Sequence, residues 1–279
     1  MASCCQSTPD AAQLKEIARK TRIQVIQMLA EAGSGHPGGS LSACDVMTVL
    51  LNRFMRHDPK NPRWEDRDRF VLSKGHCVPA WYSLLAQAGY FPEEQLMTLR
   101  KLGSPLQGHP DCNTMESMEA CTGSLGQGLS IAVGMALAGK LDKKDYRVYC
   151  MIGDGETQEG QIWEAFMSAP KFKLDNLIVI LDNNKGQIDG PVEEVMPLQP
   201  IVEKLRAFNW HVIDIDGHDL DKIIAAFDEA LKVKDKPIFI RADTIKGKGV
   251  SFMEGGIDWH GRAPKPEEAE KAVKELSAA

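Results

Sequence analysis

Four runs in this sequence, residues 148–152, 177–181, 212–215 and 238–240, read as apolar without the alternation of a half-exposed strand. Strands of that kind are buried on both faces, as in a parallel sheet covered by helices. The segments between them, residues 161–169, 201–208 and 220–232, fit crossover helices. The expected fold is therefore an α/β domain: a doubly wound, mostly parallel sheet with helices on both faces. Ahead of these runs, Leu14, Ile17, Thr21, Val25 and Met28 recur at helical spacing until Ala32-Gly33-Ser34-Gly35 breaks the pattern. A second helix is expected from near Ser40 to about Arg56, a short strand over residues 69–73, and a helix over residues 79–88. The charged tail, residues 265–279, reads as a short solvated helix. With no internal repeat and no second apolar block after it, residues 1–279 are expected to form a single domain.

The most informative local feature is Gly153-Asp154-Gly155-Glu156, directly after the run at 148–152, followed one crossover later by Asp182-Asn183-Asn184. Both fall at the carboxyl ends of strands expected to be neighbours, where open α/β sheets bind ligands. A carboxylate, a side-chain amide oxygen and a backbone carbonyl are hard donors that Mg²⁺ or Ca²⁺ accepts beside phosphate oxygens. Gly155 lets the backbone approach a phosphate and offers its N–H to it. Alone, Gly-Asp-Gly is a turn and Asn-Asn a loop; it is their joint spacing that points to a metal–diphosphate site.

Residues 153–155 through Asn183-Asn184 resemble the thiamine-diphosphate motif, and neighbouring blocks narrow the resemblance to transketolases. These are Ser34-Gly35-His36-Pro37-Gly38, Leu72-Ser73-Lys74-Gly75-His76, Gly108-His109-Pro110, Thr122-Gly123-Ser124-Leu125-Gly126-Gln127-Gly128 and Trp259-His260-Gly261, in the family's order over essentially the whole chain. The resemblance implies a thiamine-diphosphate-binding domain in which Asp154, Asn184 and the carbonyl of Gly186 hold Mg²⁺ or Ca²⁺. Many family members carry a larger aliphatic residue where Gly186 stands, but a carbonyl ligand does not depend on side-chain type. It further implies that His76, the Gly155 N–H, Glu156, Asn184, Lys246 and His260 surround the cofactor diphosphate. The backbone of Gly123, Ser124 and Leu125 would hold the aminopyrimidine end. His36, His109 and His260 would face substrate hydroxyls, and Glu159 would lie near a subunit contact that links cofactor sites.

The chemistry makes independent sense of these residue types. Cleaving a carbon–carbon bond beside a carbonyl needs an electron sink that no side chain supplies, so a cofactor must. Imidazoles titrate near neutrality and suit the accompanying proton transfers. Taken singly, each of the four histidines is an ordinary structural residue, but all four sit in loops beside glycine or proline. His57, His211 and His218 are read as structural. The Gly123–Gly128 stretch opens a helix running through Gly139 and superficially resembles a dinucleotide loop, yet residues 119–122 make a poor strand to precede one. Lys246-Gly247-Lys248-Gly249 is either a surface turn or, by the resemblance, a loop carrying Lys246 and delivering His260.

Transketolases also contain two further domains, and neither has a counterpart here. The chain resembles the amino-terminal subunit of a split transketolase, and its end near Ala279 is in keeping with that. The resemblance then implies a carboxyl-terminal partner subunit, an α₂β₂ assembly built on a two-fold self-contact, and sugar phosphates as substrates in ketol transfer. A subunit of a deoxyxylulose-phosphate synthase, of a 2-oxoacid dehydrogenase, or a non-catalytic scaffold paralogue are the alternatives.

Composition excludes other classes. A net charge of −6 without a basic stripe argues against a nucleic-acid surface. No window approaches a membrane span and no apolar leader follows a basic start, so a cytoplasmic, non-membrane protein is expected. The seven cysteines form no C-x-x-C pair, so most are expected to be buried reduced thiols, with no zinc site or redox couple.

Overall fold

In the computed structural model, which describes residues 9–278, the chain opens with α1 (Ala11–Ala32). Asp10 caps it, accepting from the Gln13 N–H while the Gln13 side chain takes the Asp10 N–H, and Gly33 ends it in the left-handed conformation. The expected second helix begins earlier and is interrupted. Pro37 starts α2 (Pro37–Ser42), α3 (Cys44–Val49) follows, and a π turn over Leu50–Phe54 finishes the stretch. Proline moves the start forward because the N–H it lacks is one that a first turn leaves unpaired anyway.

The remaining elements are β1 (Arg69–Leu72), α4 (Val78–Gln87), α5 (Gln127–Leu141), β2 (Val148–Gly153), α6 (Gly160–Lys171) and β3 (Leu177–Asn183). Then come a two-residue hairpin, β4 (Gly186–Gln187) and β5 (Gly190–Pro191), followed by α7 (Val192–Val195), α8 (Ile201–Ala207), β6 (His211–Asp216), α9 (Leu220–Ala230), β7 (Ile238–Asp243) and α10 (Pro266–Ala278). Five strands form one sheet in the order β1-β2-β3-β7-β6, every pair parallel.

Why the central runs are apolar at every position is visible in the packing. Tyr149, Met151, Ile178, Ile180, Ile238 and Ile240 join one core with α1, α3, α4 and α9. Their alternates Val148, Cys150, Ile152, Val179, Leu181 and Phe239 join a second core with α5, α6 and α8. The sheet is the wall between two hydrophobic layers, so neither face tolerates a polar residue.

Two expectations need correcting. The run at 212–215 is not buried on both faces: β6 is an edge strand, and its Asp214 is exposed and bonded to Arg241 at 2.7 Å. The tail helix α10 is not merely solvated either, since Ala269, Ala272 and Leu276 recur at three- and four-residue intervals and are buried along α1.

The register fixes where chemistry can sit. Gly153 pairs with Asp182 and Asn183 with Asp243, so the loops beginning at Asp154, Asn184 and Thr244 leave one rim side by side. At the opposite rim, four helix-to-strand turns each place one non-glycine residue at positive φ: Lys143, Lys173, Asn209 and Asp235.

Candidate active site

The acidic half of the site hangs from β2 and β3. Asp154 is buried, its Oδ1 accepting from the Gly155 N–H at 2.8 Å and its Oδ2 from the Lys185 N–H. Asn184 is oriented by its amide, whose Nδ2 donates to Asp182 Oδ2 at 3.0 Å and to Ser42 Oγ at 3.3 Å. Its Oδ1 accepts from the Gly186 N–H at 3.2 Å. The Gly186 carbonyl accepts from the Lys246 ammonium at 3.0 Å. A Cβ on Gly186 would lie 2.7 Å from Ile257 Cδ1, so this chain fills with Ile257 the space a larger residue would take.

Among the described residues no three His, Cys, Asp or Glu side chains cluster to hold a metal by themselves. The set here has one carboxylate, one amide oxygen and one backbone carbonyl, an oxygen-only donor group of the kind Mg²⁺ takes together with phosphate oxygens. Burial, and then the neighbouring Asp182, push the Asp154 carboxyl up to about 6. A buried carboxylate destabilised in this way gains most from a cation, and on that ground the residues fit the metal.

The basic half comes from four separate segments. Ring centroids of His36 and His76 are 5.1 Å apart, His76 and His260 5.1 Å, His36 and His260 5.7 Å, and His36 and His109 6.2 Å. Lys246 Nζ is 3.1 Å from His260 Nδ1. Two glycines in α2 permit this crowding: a Cβ on Gly38 would meet the Trp259 carbonyl at 2.9 Å and Lys246 Cγ at 3.0 Å, and one on Gly39 would meet Cys77 Sγ at 2.7 Å. Lys246 is 2 % exposed, which removes the surface-turn reading of its loop.

Every basic group in the cluster is pushed toward its neutral form. Burial, then Arg100 and His109, lower His36 to about 4, and burial followed by Lys246 and His36 lowers His260 to about 3. Burial also depresses His76, with Lys74 next, and His109, with Arg100 next. Lys246 is lowered by burial and then by Lys74. His36 Nδ1 is buried with no hydrogen-bond partner. Crowded basic groups held toward neutrality, with an orphaned imidazole nitrogen among them, gain most from a multiply charged anion that would favour their protonated forms, so the residues fit a diphosphate as well.

The structure places the other expected residues as follows. The Glu156 carboxylate is buried and turned inward, accepting from Ser73, from the Gly126 N–H at 2.9 Å and from the Gly153 N–H at 3.0 Å. It braces three loops of the site rather than pointing outward. Gly123 lies at φ 132 against the His109 ring, where a Cβ would come within 2.9 Å. Ser124 and Leu125 are exposed just before α5, and Glu159 is exposed at the start of α6 with its Cβ close to Gly126. Of these, Gly123 touches the histidine cluster through His109.

Sequence reading missed several residues that organise the site. Asp182, fully buried, receives hydrogen bonds from Lys74, Thr244, Ser42 and Asn184. Burial opposes its ionisation, but Lys74, Ser42 and Thr244 hold its carboxyl below the ordinary value. His218 is more than structural filler: its Nε2 accepts from the Ile245 N–H at 2.9 Å, so its Nδ1 carries the proton donated to Asp45 Oδ2 at 2.7 Å. Asp45 is gripped in turn by Arg22. This chain of contacts anchors the residue just before Lys246. Arg100 lies against Gly108 and exerts its charge on His36 and His109. Asp182 and Lys74 stood inside quoted motifs without a role, whereas Asp45, His218 and Arg100 are single residues outside them.

A parallel α/β sheet that gathers oxygen donors and a crowded basic cluster at one carboxyl rim has its chemistry where open α/β folds bind phosphorylated ligands. The family model described as "Transketolase, thiamine diphosphate binding domain" matches residues 13–278, and the chain belongs to that family. It is 48% identical over 263 residues to the 6-deoxy-6-sulfo-D-fructose transketolase subunit SqwG of Clostridium sp. (strain MSTE9), covering 94% of this chain and 96% of that one. It is 44% identical to an apulose-4-phosphate transketolase subunit of Phocaeicola vulgatus, covering 92% of each. Against human transketolase the identity is 44%, over 94% of this chain but 42% of that protein. The transketolase structure from Campylobacter jejuni superimposes with a TM-score of 0.92 at 37% identity, over 96% of this chain and 43% of that one. The chain thus spans less than half the length of those single-chain transketolases.

Proposed function

We propose that this chain is the amino-terminal, diphosphate-binding subunit of a two-subunit transketolase, which transfers a two-carbon ketol unit from a ketose phosphate to an aldose phosphate with thiamine diphosphate and Mg²⁺. The observation that carries the reading is one of coverage: the chain matches over nine tenths of two relatives named as transketolase subunits, but only 42% of the human transketolase it also resembles.

When bound, the cofactor supplies the electron sink for breaking the carbon–carbon bond. The chain's residues supply binding, charge and proton handling. Asp154, Asn184 Oδ1 and the Gly186 carbonyl would hold the metal. Lys246, His76 and His260 would bind and orient the diphosphate, and the Gly155 N–H, which donates to Asp154 Oδ1 in the ligand-free chain, would turn to it. His36 and His109, kept neutral by burial and by Arg100, would accept a proton from a substrate hydroxyl and return it. Exposed Leu125 and Ile131, with Glu159 close to Gly126, support a two-fold contact at the α5–α6 edge.

Donor-ketose cleavage tests the proposal, with thiamine diphosphate and Mg²⁺ present. The chain would be assayed alone, mixed with a carboxyl-terminal transketolase subunit, and mixed after Asp154→Ala, using both phosphorylated and sulfonated ketoses. Activity is expected only in the unmutated mixture, with Asp154→Ala costing more than the roughly 10–100-fold that changes in a metal's outer shell cost. Ketol transfer by the chain alone would refute the half-enzyme reading. Silence from a cofactor-loaded mixture on every ketose would favour the scaffold alternative.

A further inference from the structure

Residues 111–121 form a surface loop whose two arms lead directly into the site. One arm follows His109 and Pro110, and the other precedes Thr122 and Gly123. The neck is already narrow: the Thr122 N–H donates to the Pro110 carbonyl at 3.2 Å, and the Thr122 hydroxyl donates to the Leu72 carbonyl at 2.7 Å. Just outside that neck, Cys112 Sγ and Cys121 Sγ lie 3.2 Å apart, Cys121 exposed and Cys112 half-buried. This differs from the remaining described cysteines, Cys44, Cys77 and Cys150, which are buried. Cys4 and Cys5 lie outside the described residues. Reading spacing alone excluded a redox couple because no C-x-x-C is present, but a loop that returns on itself joins thiols nine positions apart.

We propose that Cys112 and Cys121 are a reversible disulfide site that staples the neck of the 111–121 loop beside His109 and Gly123. Two sulfurs at 3.2 Å on opposing arms need only a small approach to bond, and the arms are held in place by the backbone bond between Thr122 and Pro110. The oxidant is a low-molecular-weight disulfide such as oxidised glutathione. One cysteine thiolate attacks it, forming a mixed disulfide and releasing one glutathione thiolate. The second cysteine thiolate then attacks the protein sulfur and releases the other. Two S–H bonds and one S–S bond are lost, one S–S bond forms in the protein, and two glutathione molecules carry away the protons and electrons.

The surroundings set the rate. Cys121 Sγ lies 3.2 Å from Asp111 Oδ1 and 3.4 Å from Asn113 Nδ2. Its thiol is held above the ordinary value, chiefly by the hydrogen bond with Cys112, with burial and Asp111 adding to it. Oxidation is therefore favoured toward alkaline pH, where the thiolate fraction grows. Once formed, the bond ties the arm that ends in His109 to the arm that begins the Gly123 turn, so it limits how far either moves when the pocket fills.

The test uses the full chain, incubated with oxidised glutathione at about pH 8 and mapped by mass spectrometry without reduction. The expected product is a Cys112–Cys121 cross-linked peptide two hydrogens lighter than the sum of its parts, reversed by dithiothreitol and absent from both Cys112→Ser and Cys121→Ser. Hydrogen exchange of the Thr122 N–H should slow on oxidation by roughly ten- to a hundredfold, as expected for closing a loop of this length. Two separate glutathione adducts, or thiols that stay open to alkylation while Thr122 exchange is unchanged, would overturn the proposal.

Discussion

His36 and His260 sit at about 4 and about 3, whereas the same imidazoles in the unfolded chain titrate near their ordinary value of about 6.5. Between those values the unfolded chain binds more protons than the folded one. Their contribution to stability is therefore complete above about pH 6.5 and is lost as pH falls toward 4 and 3. His76 and His109 are shifted the same way. Asp154, raised to about 6, works in the opposite sense as a single carboxylate. The melting temperature of the ligand-free chain should drop between pH 7 and 5. The drop should shrink with inorganic pyrophosphate and in the His36→Asn, His260→Asn double variant. A melting temperature flat across that range, or insensitive to pyrophosphate, would show that the cluster stores no repulsion.

His218 belongs to the same scale but acts through the backbone. His218→Phe keeps the ring's bulk and removes the acceptor for the Ile245 N–H. In the assembled enzyme it should weaken thiamine diphosphate binding by roughly tenfold with little change in kcat at saturating cofactor. His218→Gln, which offers an amide oxygen, should restore most of the loss. A fall in kcat with unchanged cofactor affinity would remove His218 from the account of Lys246.

At the scale of elements, α10 is where sequence and structure part most clearly. Its charged residues suggested solvent, yet Leu276 is 2 % exposed, so Leu276→Ala should cost about 2–5 kcal/mol in urea unfolding. A cost below about 0.5 kcal/mol, typical of surface sites, would show that the helix is not docked in solution. The strands were legible where burial is complete, in β2 and β3, because a wall between two cores leaves no position for a polar residue. They were less legible at the edge, where Asp214 already interrupts the run and pairs with Arg241. Helix starts shifted where a proline, Pro37, overrode periodicity.

Across the molecule, the motifs that a reader of the sequence can quote are those at which chain neighbours act together, such as Asp154 with Gly155 or Asn184 with Gly186. The structure adds partners that are distant in sequence: His218 with Asp45, Asp182 with Lys74, and Cys112 with Cys121. No local period encodes such meetings, because the first two depend on how strands order themselves in the sheet and the third on a loop that returns on itself. Among the described residues no helix is long and apolar enough to cross a membrane.

The turns centred on Lys143, Lys173, Asn209 and Asp235 lie at the rim away from all of this chemistry, each bending the chain through one left-handed residue. That segregation makes the rim a place for grafting. A tag, a fluorophore or a short inserted peptide at Lys143 or Asp235 has a sheet's length between itself and Asp154, and evolution has the same freedom to lengthen these turns without disturbing the pocket.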